Sequence, residues 1–160
     1  MKFIIVSGPS DSGKTSAINQ FCKNNNTTIR KFDSIKYKGQ KFEDFKATGH
    51  IVKKDKKYII DIASAGEDGT IINQNFDKFG KIYEANELAP DIILISIKTS
   101  ARSVVPHQVT MERITQYLKL IGQQVDDIES VITTIETHHV NPAQFDKERD
   151  RVVQAIYDAI

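Results

Sequence analysis

The chain has 160 residues, of which 39% are hydrophobic and 27% charged, with a formal net charge of +1. That length suits a single domain over residues 1–160 with a continuous core, and so small a net charge excludes a chain-wide pull toward nucleic acid. The longest purely aliphatic run, Ile92 to Ile95, is far too short to cross a bilayer, and the lone cysteine, Cys22, excludes an internal disulfide and fits a reducing cytoplasm.

In chain order, residues 2–7 predict a buried strand built on Phe3, Ile4, Ile5 and Val6. Lys2 is followed by no small-residue cleavage site, so this run reads as a core strand and not a signal peptide. Residues 14–23 predict a helix with Ala17, Ile18, Phe21 and Cys22 inward, ended by Asn24, Asn25 and Asn26. Cys22 could be a reactive thiol, but its shared face with Ile18 and Phe21 favours a small core residue. Residues 28–32 suggest a second strand, and residues 42–48 a short helix stopped by Gly49. Residues 51–53 and 57–63 flank the polar turn Lys54-Asp55-Lys56 and suggest a hairpin.

Residues 91–97, Asp-Ile-Ile-Leu-Ile-Ser-Ile, are the clearest buried strand, a near-continuous apolar run typical of parallel strands covered on both faces. Residues 107–121 place Met111, Ile114, Tyr117, Leu118 and Ile121 on one helical stripe, with Gly122 as the stop. Residues 131–135 suggest another strand. The last helix has Asn141 as its cap, Pro142 at its first position, Gln144 three after the cap, and Phe145, Val152, Val153, Ile156, Tyr157 and Ile160 inward. This alternation argues for a three-layer α/β/α sandwich around a mainly parallel sheet, whose ligands bind beyond the carboxyl ends of the strands.

At such an end stand Gly8-Pro9-Ser10-Asp11-Ser12-Gly13-Lys14-Thr15, followed by Ser16. They match G-x-x-x-x-G-K-[ST] at every specified position, between a strand and a helix. Glycines let the backbone wrap a phosphate, successive N–H groups converge on it, and the helix aims its positive end at the same spot. Lys14, expected to face solvent, would reach the β- and γ-phosphates, and the Thr15 hydroxyl would ligate magnesium.

Over residues 2–25 the chain resembles the P-loop nucleoside triphosphatase superfamily, and its loop looks most like those of small nucleotide and nucleoside kinases. The resemblance implies the P-loop fold, ATP or another nucleoside triphosphate with Mg2+ as cofactors, and transfer of a γ-phosphoryl group. It carries Lys14 over as a phosphate contact and Thr15 as a metal contact.

Such chemistry needs a carboxylate near the metal. Tyr58-Ile59-Ile60-Asp61 is an apolar strand arriving at an acid; Asp61 could hold magnesium or simply cap a strand end. In the acidic loop beyond it, Glu67 or Asp68 could position a water or a hydroxyl. Asp33, after the second strand, resembles the acid that orients the acceptor hydroxyl in small P-loop kinases, or is a turn residue. Lys98, Arg102 and Arg113 flank the end of the strand over residues 91–97, and Arg102 is the candidate lid arginine, although kinase lids of this type commonly carry a pair. His50, His107, His138 and His139 have no metal-ligand spacing.

From Arg30 to Lys57 ten bases face four acids, a local balance of +6, which is either a solvated lysine face or a rim that attracts an anionic substrate. The favoured expectation is a cytoplasmic kinase acting on a small anionic acceptor such as a nucleotide. The alternatives are a GTPase-like switch and an ATPase acting on a protein or nucleic-acid partner. The switch reading is weakened by Ala63 where that family has Asp, and by Ser96-Ile97-Lys98-Thr99 where it reads guanine.

Overall fold

The computed structural model describes residues 1–9, 12–25, 27–35, 43–66, 69–86, 88–98, 105–123, 130–133 and 141–160. In chain order these form β1 (Lys2–Gly8), α1 (Lys14–Asn24), β2 (Ile29–Ile35), β3 (Asp44–Lys53) and β4 (Lys56–Ala63). They continue as α2 (Gly69–Asn86), β5 (Ile92–Lys98), α3 (Val105–Leu120), β6 (Ser130–Thr133) and α4 (Pro142–Ala159). The six strands make one sheet in the order β2-β3-β4-β5-β1-β6.

This sheet overturns the expectation of a mainly parallel sheet in a three-layer P-loop sandwich: it is mixed. β1 pairs parallel with β5 and β6, and β4 with β5, whereas β2-β3-β4 is an antiparallel meander. The cause is local. Lys54 and Asp55 take φ values of 49° and 61°, the left-handed pair that closes a two-residue hairpin, and strands joined so tightly can only run antiparallel. The helix expected over residues 42–48 is likewise corrected. Asp44–Lys53 is a strand whose Phe45, Ala47 and Ile51 alternate into the core, so period two governs where period 3.6 was read.

The sheet buries an apolar surface on each side. Ile4 and Val6 of β1 face α1 and α4, with Ala17, Ile18, Phe21, Val152 and Ile156; Phe3 and Ile5 face α2 and α3, with Ile72, Phe76, Phe79, Ile114 and Leu118. Burial on both faces is why β1 and β5 read as unbroken apolar runs. α1, eleven residues long, is too short to persist alone, and the burial of Ile18 and Phe21, roughly 2 kcal/mol each, is what holds it. α2 has no counterpart among the expected elements, yet Ile72, Phe76 and Phe79 recur at helical spacing on its buried side. α4 begins as read: Asn141 accepts from the Gln144 amide, and the Gln144 side chain accepts from the Asn141 amide. No helix among the described residues is long and apolar enough to cross a membrane.

Candidate functional site

β1 delivers the chain at Gly8, and α1 begins at Lys14 on the other side of the loop. Gly13 caps α1 with φ 83°, a left-handed conformation, and a Cβ there would come 3.2 Å from the Phe145 ring. Having no side chain, it leaves the first-turn N–H groups of α1 without a side-chain cap, the arrangement in which a helix start receives an anion. Lys14 is buried and does not face solvent: its ammonium folds back over the loop, donating to the Gly8 carbonyl at 3.0 Å, the Pro9 carbonyl at 2.6 Å and Ser12 Oγ at 3.4 Å. Ser12 is buried, and the Ser16 hydroxyl, also buried, has no hydrogen-bond partner. Ser10 and Asp11 lie outside the described residues.

The Thr15 hydroxyl lies 3.1 Å from Asp44 Oδ1 and 3.2 Å from the Ser64 carbonyl oxygen. Asp44 opens β3, and Ser64 directly follows β4. Ser64 is stitched to β3 by its backbone amide, which donates to the Phe45 carbonyl, and by its Oγ, which accepts from the Phe45 amide at 2.8 Å. Its carbonyl also accepts from the Ser96 hydroxyl of β5. Gly66 then passes so close to β5 that a Cβ would stand 1.7 Å from the Ser96 carbonyl oxygen. Three strand ends thereby converge on the first turn of α1.

Asp61, the expected metal acid, is not among them. It pairs across the sheet with Ile93, which pairs with Phe3, so it sits level with the start of β1. Gly8 is five residues further along β1, roughly 16 Å in the strand direction. Asp61 is 2% exposed, accepts from Thr48 Oγ1 at 2.7 Å, and burial raises its pKa above the usual carboxylate range, the Thr48 hydrogen bond opposing that rise. An apolar run that arrives at an acid reads like a strand end even where the strand carries on beyond the acid. β4 continues through Ala63.

Asp33 lies on exposed β2, with Lys46 Nζ 3.0 Å from its carboxylate. Together with Asp44, Phe45, Lys46, Ala65 and Asn75 it lines a cavity of about 40 Å³ next to the Thr15–Asp44 pair. The buried Asn75 amide donates to the Ala65 carbonyl at 2.6 Å, while its own oxygen has no partner. Arg102, Glu67 and Asp68 lie outside the described residues. Lys98 ends β5, its amide bonded to the Gly66 carbonyl; Arg113, on α3, is turned to Asp77 and Gln116. Cys22 is buried, and desolvation pushes its thiol up to about 12, against the opposing influence of Lys31.

Asp44, Ser64 and Ser96 went unread in the sequence. The one signal for Asp44 was its place at the head of the alternating Phe45, Ala47, Gly49, Ile51 pattern. Among the described residues no three His, Cys, Asp or Glu side chains gather as a metal cage. One carboxylate and one hydroxyl nevertheless suit magnesium, which keeps most of its ligands as water and phosphate oxygen. Octahedral ligands at about 2.1 Å stand about 3 Å apart when adjacent, and Thr15 Oγ1 and Asp44 Oδ1 are spaced accordingly. No protein-family model matches the chain, no curated protein is significantly similar to it, and no solved structure matches it.

Proposed function

We propose that the chain binds a magnesium–nucleoside triphosphate at the β1–α1 loop and transfers its γ-phosphoryl group to a small anionic acceptor, a nucleotide being the expected class. The observation that carries this reading is the Thr15–Asp44 pair at the uncapped start of α1, beside the buried Lys14 ammonium. The reading rests on this local geometry and not on the fold.

In this reading Lys14 exchanges its contacts with the neutral Gly8 and Pro9 carbonyls for anionic phosphate oxygens, so that both partners of the bond are charged. Thr15 and Asp44 would hold the metal, which would supply positive charge to offset that on the phosphoryl group. Asp33 and Lys46 stand at the mouth of the adjoining cavity, which is too small to enclose the acceptor: the ammonium draws in an anionic acceptor from solvent, and the carboxylate orients its hydroxyl and accepts its proton. The bond between the γ-phosphorus and its bridging oxygen breaks as the acceptor oxygen binds phosphorus, and ADP leaves when ATP is the donor. A kinase is favoured over a switch or a free hydrolase because this cavity sets an acid and a base beside the metal pair.

The test is a screen of nucleosides and nucleotides for ADP release above the acceptor-free rate. An acceptor that raises release in the wild type, and no longer does so in Asp33→Asn while slow hydrolysis persists, supports the reading. Acceptor-independent release throughout the screen refutes the kinase.

A further inference from the structure

The β2–β3 edge of the sheet is covered on one face. Ile29, Phe45, Ala47 and Ile51 turn toward α1 and α4, whereas the core beneath α2 and α3 takes no residue from β2 or β3 among the described residues. The alternate side chains therefore form an open face. The register sets Arg30 beside Thr48, Asp33 beside Lys46, His50 beside Ile59 and Val52 beside Lys57.

A sheet face turned to water is ordinarily polar, yet Phe32 is 40% and Val52 62% exposed here. Phe32 occupies the register irregularity between Lys31 and Asp33, and the Lys78 ammonium of α2 lies 5.6 Å from its ring centroid. Of the acids on this face, Asp33 pairs with Lys46, Asp61 is buried, and Asp44 accepts from the Thr15 hydroxyl. Arg30 and Lys57 are exposed and have no acidic partner among the described residues, so the uncompensated charge is positive.

We infer that this open face binds single-stranded nucleic acid, with a base stacked on Phe32 and phosphates held by Arg30, Lys57 and Lys78. Cations alone would fit any polyanion, and an exposed ring alone would fit an apolar surface. A partly exposed aromatic ring with cations around it fits a polyanion whose units carry flat rings. The face starts at Lys46, which also lines the acceptor cavity, and runs toward the β3–β4 turn. It does not depend on the phosphate-loop reading.

The test is fluorescence anisotropy of labelled oligothymidine and oligouridine, without nucleotide, at about 50 mM and about 200 mM salt. Binding that weakens with salt, falls roughly 5-fold or more in Phe32→Ala, persists in Phe32→Tyr and is lost in the double variant Arg30→Glu/Lys57→Glu is expected. Lys14→Ala should bind like wild type, so a failure of the phosphate-loop reading leaves this result standing. The altered side chains on this face are exposed, and melting curves verify that the variants fold. The inference is overturned by no binding at the lower salt, by Phe32→Ala and Arg30→Glu/Lys57→Glu both matching wild type, or by polyglutamate competing as well as unlabelled oligonucleotide, which would assign the face to an acidic protein.

Discussion

Thr15 Oγ1 stands 3.1 Å from Asp44 Oδ1, tying the first turn of α1 to the first residue of β3 across 29 positions of sequence. In the proposed reading, two hard oxygens at that spacing beside a helix N-terminus would hold a cation without a cage of carboxylates. Asp44→Asn is therefore expected to reduce magnesium-dependent turnover by more than the roughly 10-fold that loss of an outer partner costs. Thr15→Val should raise the magnesium concentration needed for half activity. Asp61→Asn should leave both quantities near wild type. Titration of ADP release with magnesium checks all three, and a collapse in Asp61→Asn alone would return the metal to Asp61.

Lys14→Ala removes a buried ammonium whose neighbours are the carbonyls of its own loop. Hydrogen bonds to charged groups contribute about 1.5–3 kcal/mol, so calorimetry should record magnesium–ATP affinity roughly 10-fold weaker or worse. A melting point close to wild type would separate this loss from unfolding. Unchanged affinity would end the phosphate-loop assignment.

Asp61 gives the protein a pH signature. Its carboxyl is buried, and that burial lifts its folded pKa above the usual carboxylate range, so the native state holds the proton more tightly than the unfolded chain does. Stability from this group is therefore present at low pH and is lost as pH rises from the unfolded pKa through the raised folded one. Asp61→Asn keeps the shape without the charge. Urea unfolding across that window should be flatter in the variant, with a gain in stability at neutral pH; curves parallel to wild type would show that burial does not raise the Asp61 pKa.

Two glycines should respond oppositely to alanine. A Cβ on Gly66 would lie 1.7 Å from the Ser96 carbonyl oxygen, a backbone atom with no freedom to move aside. Gly66→Ala should cost about 2 kcal/mol or more and disturb the Ser64 end of the site. Gly80 lies within α2, where a Cβ would meet only the tip of Leu120 at 3.4 Å. Gly80→Ala should stabilise by up to about 1 kcal/mol through helix propensity. Chemical denaturation measures both.

Cys22 is buried, with its thiol pushed up to about 12. In mildly alkaline buffer the native protein should resist a thiol-specific reagent and react fully once unfolded. Rapid labelling of the native state would contradict the burial.

The start of α1 at Lys14, the capped start of α4 and the doubly buried β1 and β5 were legible in the sequence alone, because each is set by neighbours within a few residues. A left-handed Gly13, an Asn141–Gln144 box and an unbroken aliphatic run depend on local sterics and hydrogen bonds. The partner of Thr15 was not legible. Asp44 reaches it only because β3 is a strand and the Lys54–Asp55 turn folds that strand back on β4. Asp61 was assigned to the site because its neighbours in sequence resemble those of a metal acid, yet register across β5 sets it roughly 16 Å short of Gly8. Sequence spacing tells which residues share a turn or a strand face. Which strand ends meet at a helix start is decided by pairing partners far apart in the chain, and only the tertiary structure supplies those.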